Sequence, residues 1–160
     1  MRVTVIAVGR LKPGPEKQLA EDYQTRASGL GRKAGITRIG VSEFAESQAS
    51  SAPSRMAEEA RLIASALPPK AFAVVLDERG KAMASEAFAG LLRKTLDNGT
   101  PDMAFLIGGP DGHAPETREG AGLLLSFGPM TWPHRMVRVM LFEQIYRAVT
   151  IMVNHPYHRA

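Results

Sequence analysis

Residues Met103–Gly112 read MAFLIGGPDG. Five apolar residues in a row, without polar alternation, are the pattern of a strand buried on both faces, as in the middle of a parallel sheet. The strand ends abruptly in Gly108-Gly109-Pro110-Asp111-Gly112. Glycines there let backbone approach a ligand with no β-carbon in the way. The same five residues serve equally well as a tight strand-to-helix turn. The loop lacks the Gly-Lys-Ser/Thr ending of a phosphate-binding loop, and it is not GxGxxG.

Working outward, two more strands of this kind precede it. Ala71–Leu76 (AFAVVL) is continuous and apolar, and Val3–Val8 is a shorter run ended by Gly9. Between the strands lie helical stretches. Pro15 opens the first, with Leu19, Tyr23 and Ala27 at helical spacing, and Gly29, Gly31 and Gly35 are expected to break it. Ile36, Ile39 and Val41 suggest a strand. Ser47–Ser54 (SQASSAPS) reads as a flexible surface loop. A helix runs from about Ser54 to Leu67, stopped by Pro68 and Pro69. DERG (77–80) reads as a polar turn, and Ser85 as the N-cap of a helix buried through Phe88, Leu91, Leu92 and Leu96. Pro115 starts another helix, Leu123–Phe127 is a short strand, and His134–Val153 is one long helix. Alternating strands and helices predict an α/β fold, a mostly parallel sheet flanked by helices, in a single domain spanning 1–160. Ligands of such sheets bind beyond the carboxyl ends of the strands.

The last helix carries apolar residues on more than one face: Met136, Val139, Met140, Leu141, Phe142, Ile145, Val149, Met152 and Val153. A helix on one core needs one stripe. The excess predicts a second partner, most simply a homodimer, or else a helix sunk deep in its own core.

Composition sets the outer bounds. At 160 residues and 44% hydrophobic content, one well-buried core is affordable. No apolar run reaches membrane-spanning length, and Val3–Val8 is too short for a signal peptide core, so a cytoplasmic protein is expected. Without cysteine there is no disulfide, thiolate zinc site or thiol nucleophile. The net charge of +4 and pI near 9.7 suit a polyanion such as RNA, and equally suit a basic protein that meets none.

Two further segments carry candidate chemistry. Ser126–His134 (SFGPMTWPH) fixes an irregular loop through Gly128, Pro129 and Pro133, fit to offer backbone groups to an adenine; alternatively Trp132 plugs the core. The tail Asn154–Arg159 (NHPYHR) gathers two histidines, a tyrosine and an arginine where termini are usually bland. Tyr157 can stack on a base, Arg159 can pair with phosphate or carbonyl, and His158 can accept a proton near neutral pH. His155 and His158 are spaced for metal, but Pro156 breaks the helical geometry and no third ligand is evident. Arg138 and Arg135 can contact RNA or solvate a helix start. Glu143 and Arg147 form an ordinary i,i+4 pair.

Taken in order, VTVIAVGR, FLIGGPDG, TWPHRMVRVMLFEQIYRA and NHPYHR resemble the bacterial ribosomal large-subunit methyltransferase H family, within the SPOUT (alpha/beta-knot) superfamily. The resemblance runs from end to end, and its specificity lies in the combination of motifs. It implies a C-terminal trefoil knot, a homodimer, S-adenosylmethionine as methyl donor, no metal and no membrane. The implied substrate is N3 of a pseudouridine in the helix 69 loop of 23S rRNA within the assembled ribosome. By motif position, Leu76, Gly108, Phe127, Gly128, Pro129, Met130, Thr131 and Trp132 are implied to contact the donor. Relatives often carry smaller or aliphatic residues at Phe127, Gly128, Pro129 and Trp132. Tyr157, His158 and Arg159 are implied to handle the RNA. In the expected mechanism His158 removes the N3 proton, and Arg159 or Arg138 stabilises the developing charge. Two other classes compete: a non-enzymatic ribosome-binding factor, which would not bind the donor, and a nucleotide-phosphate enzyme, which would bind ATP or GTP at the glycine loop.

Overall fold

A computed structural model describes residues 1–158. Five strands, β1 (Arg2–Val8), β2 (Arg38–Phe44), β3 (Phe72–Ala82), β4 (Asp102–Ile107) and β5 (Leu123–Ser126), form one parallel sheet in the order β2-β1-β4-β3-β5. Helices α1 (Pro15–Gly31), α3 (Ser85–Asp97) and α5 (His134–Met152) share one core, while α2 (Ala52–Ala66) and the short α4 (Pro115–Glu119) belong to the other side.

The strands sort their side chains by the two-residue period. Val3, Val5 and Ala7 of β1 join Met103, Phe105 and Ile107 of β4 in the larger core, under α1, α3 and α5. Ile6 and Val8 point the other way, with Ala104, Leu106 and Ile63 of α2. Both faces are covered, which is why these strands are apolar throughout.

The long helix α5 lies between α1 and α3. Leu141, Ile145, Ala148 and Val149 are fully buried within the one subunit. Its apolar breadth therefore comes from a central position in its own core, so Val149 does not face a partner. The large apolar groups that remain exposed are Leu19 on α1, Val41 on β2, Leu62 on α2, Met136 at the start of α5, and Met130 and Trp132 in the loop before it.

Four local expectations are corrected. Helix α1 runs through Gly29 to Gly31, and the break falls at Gly35, where φ is 84°. Ser85 is inside α3; its hydroxyl donates to Gln144 Oε1 instead of capping the helix. DERG is no turn: β3 continues to Ala82 through a bulge and resumes pairing with β5 at Lys81 and Ala82. Gly80 sits in that bulge because a β-carbon there would stand 2.6 Å from the carbonyl carbon of Leu125. Finally, α2 begins at Ala52, capped by Ser51, whose hydroxyl accepts from the Ser54 amide at 3.3 Å.

Candidate active site

Strands β4 and β5 end beside the bulge in β3, and their two loops and that bulge line a cavity of about 300 Å³. That volume is at the lower end of small-molecule sites. Leu76 and Asp77 come from β3, Gly108–His113 from the loop after β4, and Phe127, Gly128, Met130, Thr131 and Trp132 from the loop after β5. His134 and Val137 close it from the first turn of α5. The cavity is where a parallel sheet places its ligands.

Each wall has a local cause. The turn after β4 closes through the Gly112 amide, which donates to the Gly109 carbonyl at 2.9 Å, with Gly112 at φ 82°. A β-carbon on Gly108 would lie 3.0 Å from the Gly112 carbonyl carbon, so Gly108 is demanded by the loop's own closure. After β5, the Ser126 hydroxyl accepts from the Gly128 amide and donates to its carbonyl, both at 3.1 Å. That holds Gly128 at φ 107°, a conformation other residues adopt only under strain.

The cavity lining carries Asp77, Glu78, Arg79, Asp111, His113 and His134, of which the Asp77 and His113 side chains are the most buried. Burial pushes the Asp77 carboxyl up, but the amide and guanidinium of Arg79, both 3.0 Å from Oδ1, outweigh it and hold the acid below its ordinary range. His113 is 3% exposed, and neither ring nitrogen has a partner in hydrogen-bonding geometry among the described residues. Burial lowers its pKa, against opposing contributions from the Leu106 and Leu76 carbonyls and from Asp77. The ring is therefore neutral near pH 7.

The expected donor positions fall together except for one. Leu76, Gly108, Phe127, Gly128, Met130, Thr131 and Trp132 line the cavity, while Pro129 is exposed and outside it. Arg138 is not in the cavity wall. It is 2% exposed, ion-paired to Glu43, and its Nη2 donates to the Gly9 carbonyl at 2.7 Å. Burial lowers its pKa and the Glu43 charge raises it.

The tail lies elsewhere in the subunit. The Tyr157 ring packs on Tyr146 at 4.5 Å between centroids, beneath the Arg147 guanidinium, and its hydroxyl donates to Glu143 Oε1 at 3.0 Å. His158 Nε2 is 3.7 Å from Glu86. Arg159 lies outside the described residues. Glu143 lines a second, largely apolar cavity with Leu19, Tyr23, Phe88 and Met140, which meets the first at Leu125–Gly128. His113 and Asp77 were missed as site residues. The visible signals were a histidine directly after the glycine turn and an acid directly after an apolar strand.

Residues 1–158 match the model of a family described as predicted SPOUT methyltransferase. The chain belongs to this family. Among curated SPOUT relatives, the ribosomal RNA large subunit methyltransferase H of Rhodopseudomonas palustris (strain HaA2) is 56% identical over 160 residues, covering all of both chains. The protein of that name from Bradyrhizobium sp. (strain ORS 278) is 52% identical over 160 residues, covering all of this chain and 99% of its own. A solved structure, a probable methyltransferase from Bordetella pertussis Tohama I, aligns at 16% identity over 92% of this chain and 95% of that one, with a TM-score of 0.49. The SPOUT chain described here is thus a methyltransferase whose sheet ends converge on one cavity.

Proposed function

We propose that the chain transfers a methyl group from S-adenosylmethionine to 23S rRNA, at N3 of a pseudouridine in the helix 69 loop, on ribosomes in the cytoplasm. The observation that carries the reading is the convergence of two loops and the β3 bulge on one cavity in a chain more than half identical, along its whole length, to proteins named for ribosomal RNA methylation.

The cavity fits the donor in its chemistry. Leu76, Ile107, Phe127 and Val137 give an apolar wall for an adenine, the loops supply backbone polar groups, and the Asp77 carboxylate suits a cationic ligand. No Lys-Ser/Thr follows the glycines, which argues against a nucleotide triphosphate. When bound, S-adenosylmethionine supplies a methyl made electrophilic by its sulfonium, so the chain itself has two tasks: to align the acceptor nitrogen and to take its proton. His158 is the group assigned to the proton, and Arg159 to the negative charge that develops on the base. Arg138 loses its share of that role, because its guanidinium is committed to Glu43 and Gly9.

The reading includes a homodimer and a C-terminal knot, as the family resemblance implies. The tail of one subunit rests on α5 beside the second cavity and away from its own donor cavity. We assign it to the partner's cavity. The exposed apolar residues Leu19, Met130, Trp132 and Met136 are the surface such a dimer would cover.

The test is direct. Purified protein, S-adenosylmethionine and ribosomes from a strain deleted for the gene are incubated, and the 23S rRNA is digested for mass spectrometry. One added methyl on a helix 69 pseudouridine is expected. Donor binding without any methylation of ribosomes would overturn the substrate assignment. Ribosome binding without donor binding would favour a non-enzymatic factor.

A further inference from the structure

We propose that Arg55 and Glu59, both on α2, are positioning residues that hold the Gly109–Gly112 turn in the shape that takes the methyl donor. This rests on the reading that the cavity binds that donor. Neither side chain lines the cavity; both touch the turn from outside.

The Arg55 guanidinium makes three contacts. Nε donates to Asp111 Oδ2 at 2.7 Å, Nη2 donates to Oδ1 at 3.1 Å, and Nη1 donates to the Ala49 carbonyl at 3.0 Å. A planar fork on a carboxylate fixes orientation as well as distance. Asp111 is thereby locked at the third residue of the turn.

One helical turn further on, Glu59 is 3% exposed. Its Oε1 accepts from the Ser47 amide at 3.0 Å. Its Oε2 has no partner among the described residues and lies 2.8 Å from where a β-carbon on Gly109 would stand. The backbone of Gly109 thus rests flat against a buried carboxyl. The carboxyl thereby joins the Ser47 amide on one side to the Gly109 backbone on the other, which an apolar side chain in its place would not do.

The segment before α2 serves the same end. Ser47 bonds Glu58 and Glu59, and the Ala49 carbonyl holds Arg55. The stretch that reads as a loose serine-rich loop is a strap tied to the two residues that grip the turn.

The experiment is calorimetric titration of S-adenosylmethionine into full-length Arg55→Ala, Asp111→Ala and the double variant, each with its thermal midpoint. Each single variant should bind about tenfold more weakly, and the double no more weakly than either single, since all three lose one shared contact. Arg55→Lys keeps the charge without the fork and should recover only part of the affinity. A merely structural contact would lower the midpoint and leave affinity at 25 °C untouched. Wild-type affinity in Arg55→Ala, or additive losses in the double variant, would overturn the proposal. Thr131→Trp, which fills the cavity from an exposed wall residue, separates the two readings. If it binds the donor normally, the cavity assignment falls and the clamp with it. If it loses the donor while Arg55→Ala does not, only the clamp falls.

Discussion

Gly80→Ala adds one methyl group at the point where the extended β3 crosses β5. The new carbon would sit 2.6 Å from the Leu125 carbonyl carbon and 2.7 Å from both the Leu124 carbonyl carbon and the Leu125 amide nitrogen. All three are backbone atoms of a paired strand, so no side-chain rotation relieves the contact. The two strands must separate by roughly an ångström, which costs about 1–3 kcal/mol, as overpacking in a close-packed interior does. For a chain of this size each kcal/mol lowers the melting midpoint by about 2–4 °C, so a fall of several degrees is expected. Gly90→Ala is the matched control. Gly90 lies within α3 with nothing within 4 Å of the added carbon, and there the same methyl should stabilise by about 0.5–1 kcal/mol. The assay is paired calorimetric unfolding of both variants with wild type. Because the strand leads into the Phe127–Trp132 wall, donor affinity should also fall in Gly80→Ala and stay level in Gly90→Ala. A Gly80→Ala protein that melts with or above wild type would refute the crossing as a steric constraint.

Three other expectations follow from burial and charge. His113 is neutral and buried with a lowered pKa, so the unfolded chain takes up its proton first; the stability it contributes is full above its ordinary value of 6.5 and is lost as pH falls below that. His113→Leu should therefore lose less stability than wild type in denaturant titrations between neutral and mildly acid pH, and identical pH slopes would remove His113 as the cause. Arg138→Ala leaves Glu43 and the Gly9 carbonyl without their partner and should cost about 2–3 kcal/mol, below the usual figure for a broken buried pair because Glu43 keeps 29% side-chain exposure; a midpoint shift under 2 °C in thermal unfolding would contradict this. Met136→Lys places a charge on the exposed apolar surface and should release monomers in sedimentation, whereas a wild-type chain that is already monomeric at micromolar concentration would sink the dimer.

The parts of the fold legible in the sequence are those where one physical signal dominated. Strands β1 and β4 announce themselves because both faces are buried, leaving no room for polar residues. The carboxyl-end rule then placed the cavity at the loops after Leu76, Ile107 and Phe127. Where two signals competed, the weaker-looking one won. DERG has turn composition, yet parallel pairing with β5 resumes through a bulge that only glycine permits. Gly29 carries a helix penalty, yet buried Ala27 and Gly31 on either side keep α1 intact. Glu59 was invisible because an acid within an amphipathic helix normally faces water; its burial depends on a strap and a glycine turn distant in sequence. The breadth of α5 was misleading for a related reason, since a helix packed between two others is apolar without needing a second subunit.

The position of α5 also governs how the chain is made. Helix α1 is complete once residue 31 has been synthesised, but the helix that fills its inner side ends only at residue 152. At roughly 5–20 residues per second, α1 and its sheet neighbours wait about 6–24 s for that partner. Until then Val3, Val5 and Ala27, joined later by Phe105, lack the helix that covers them, so the nascent protein offers chaperones an apolar slot that closes in one late step.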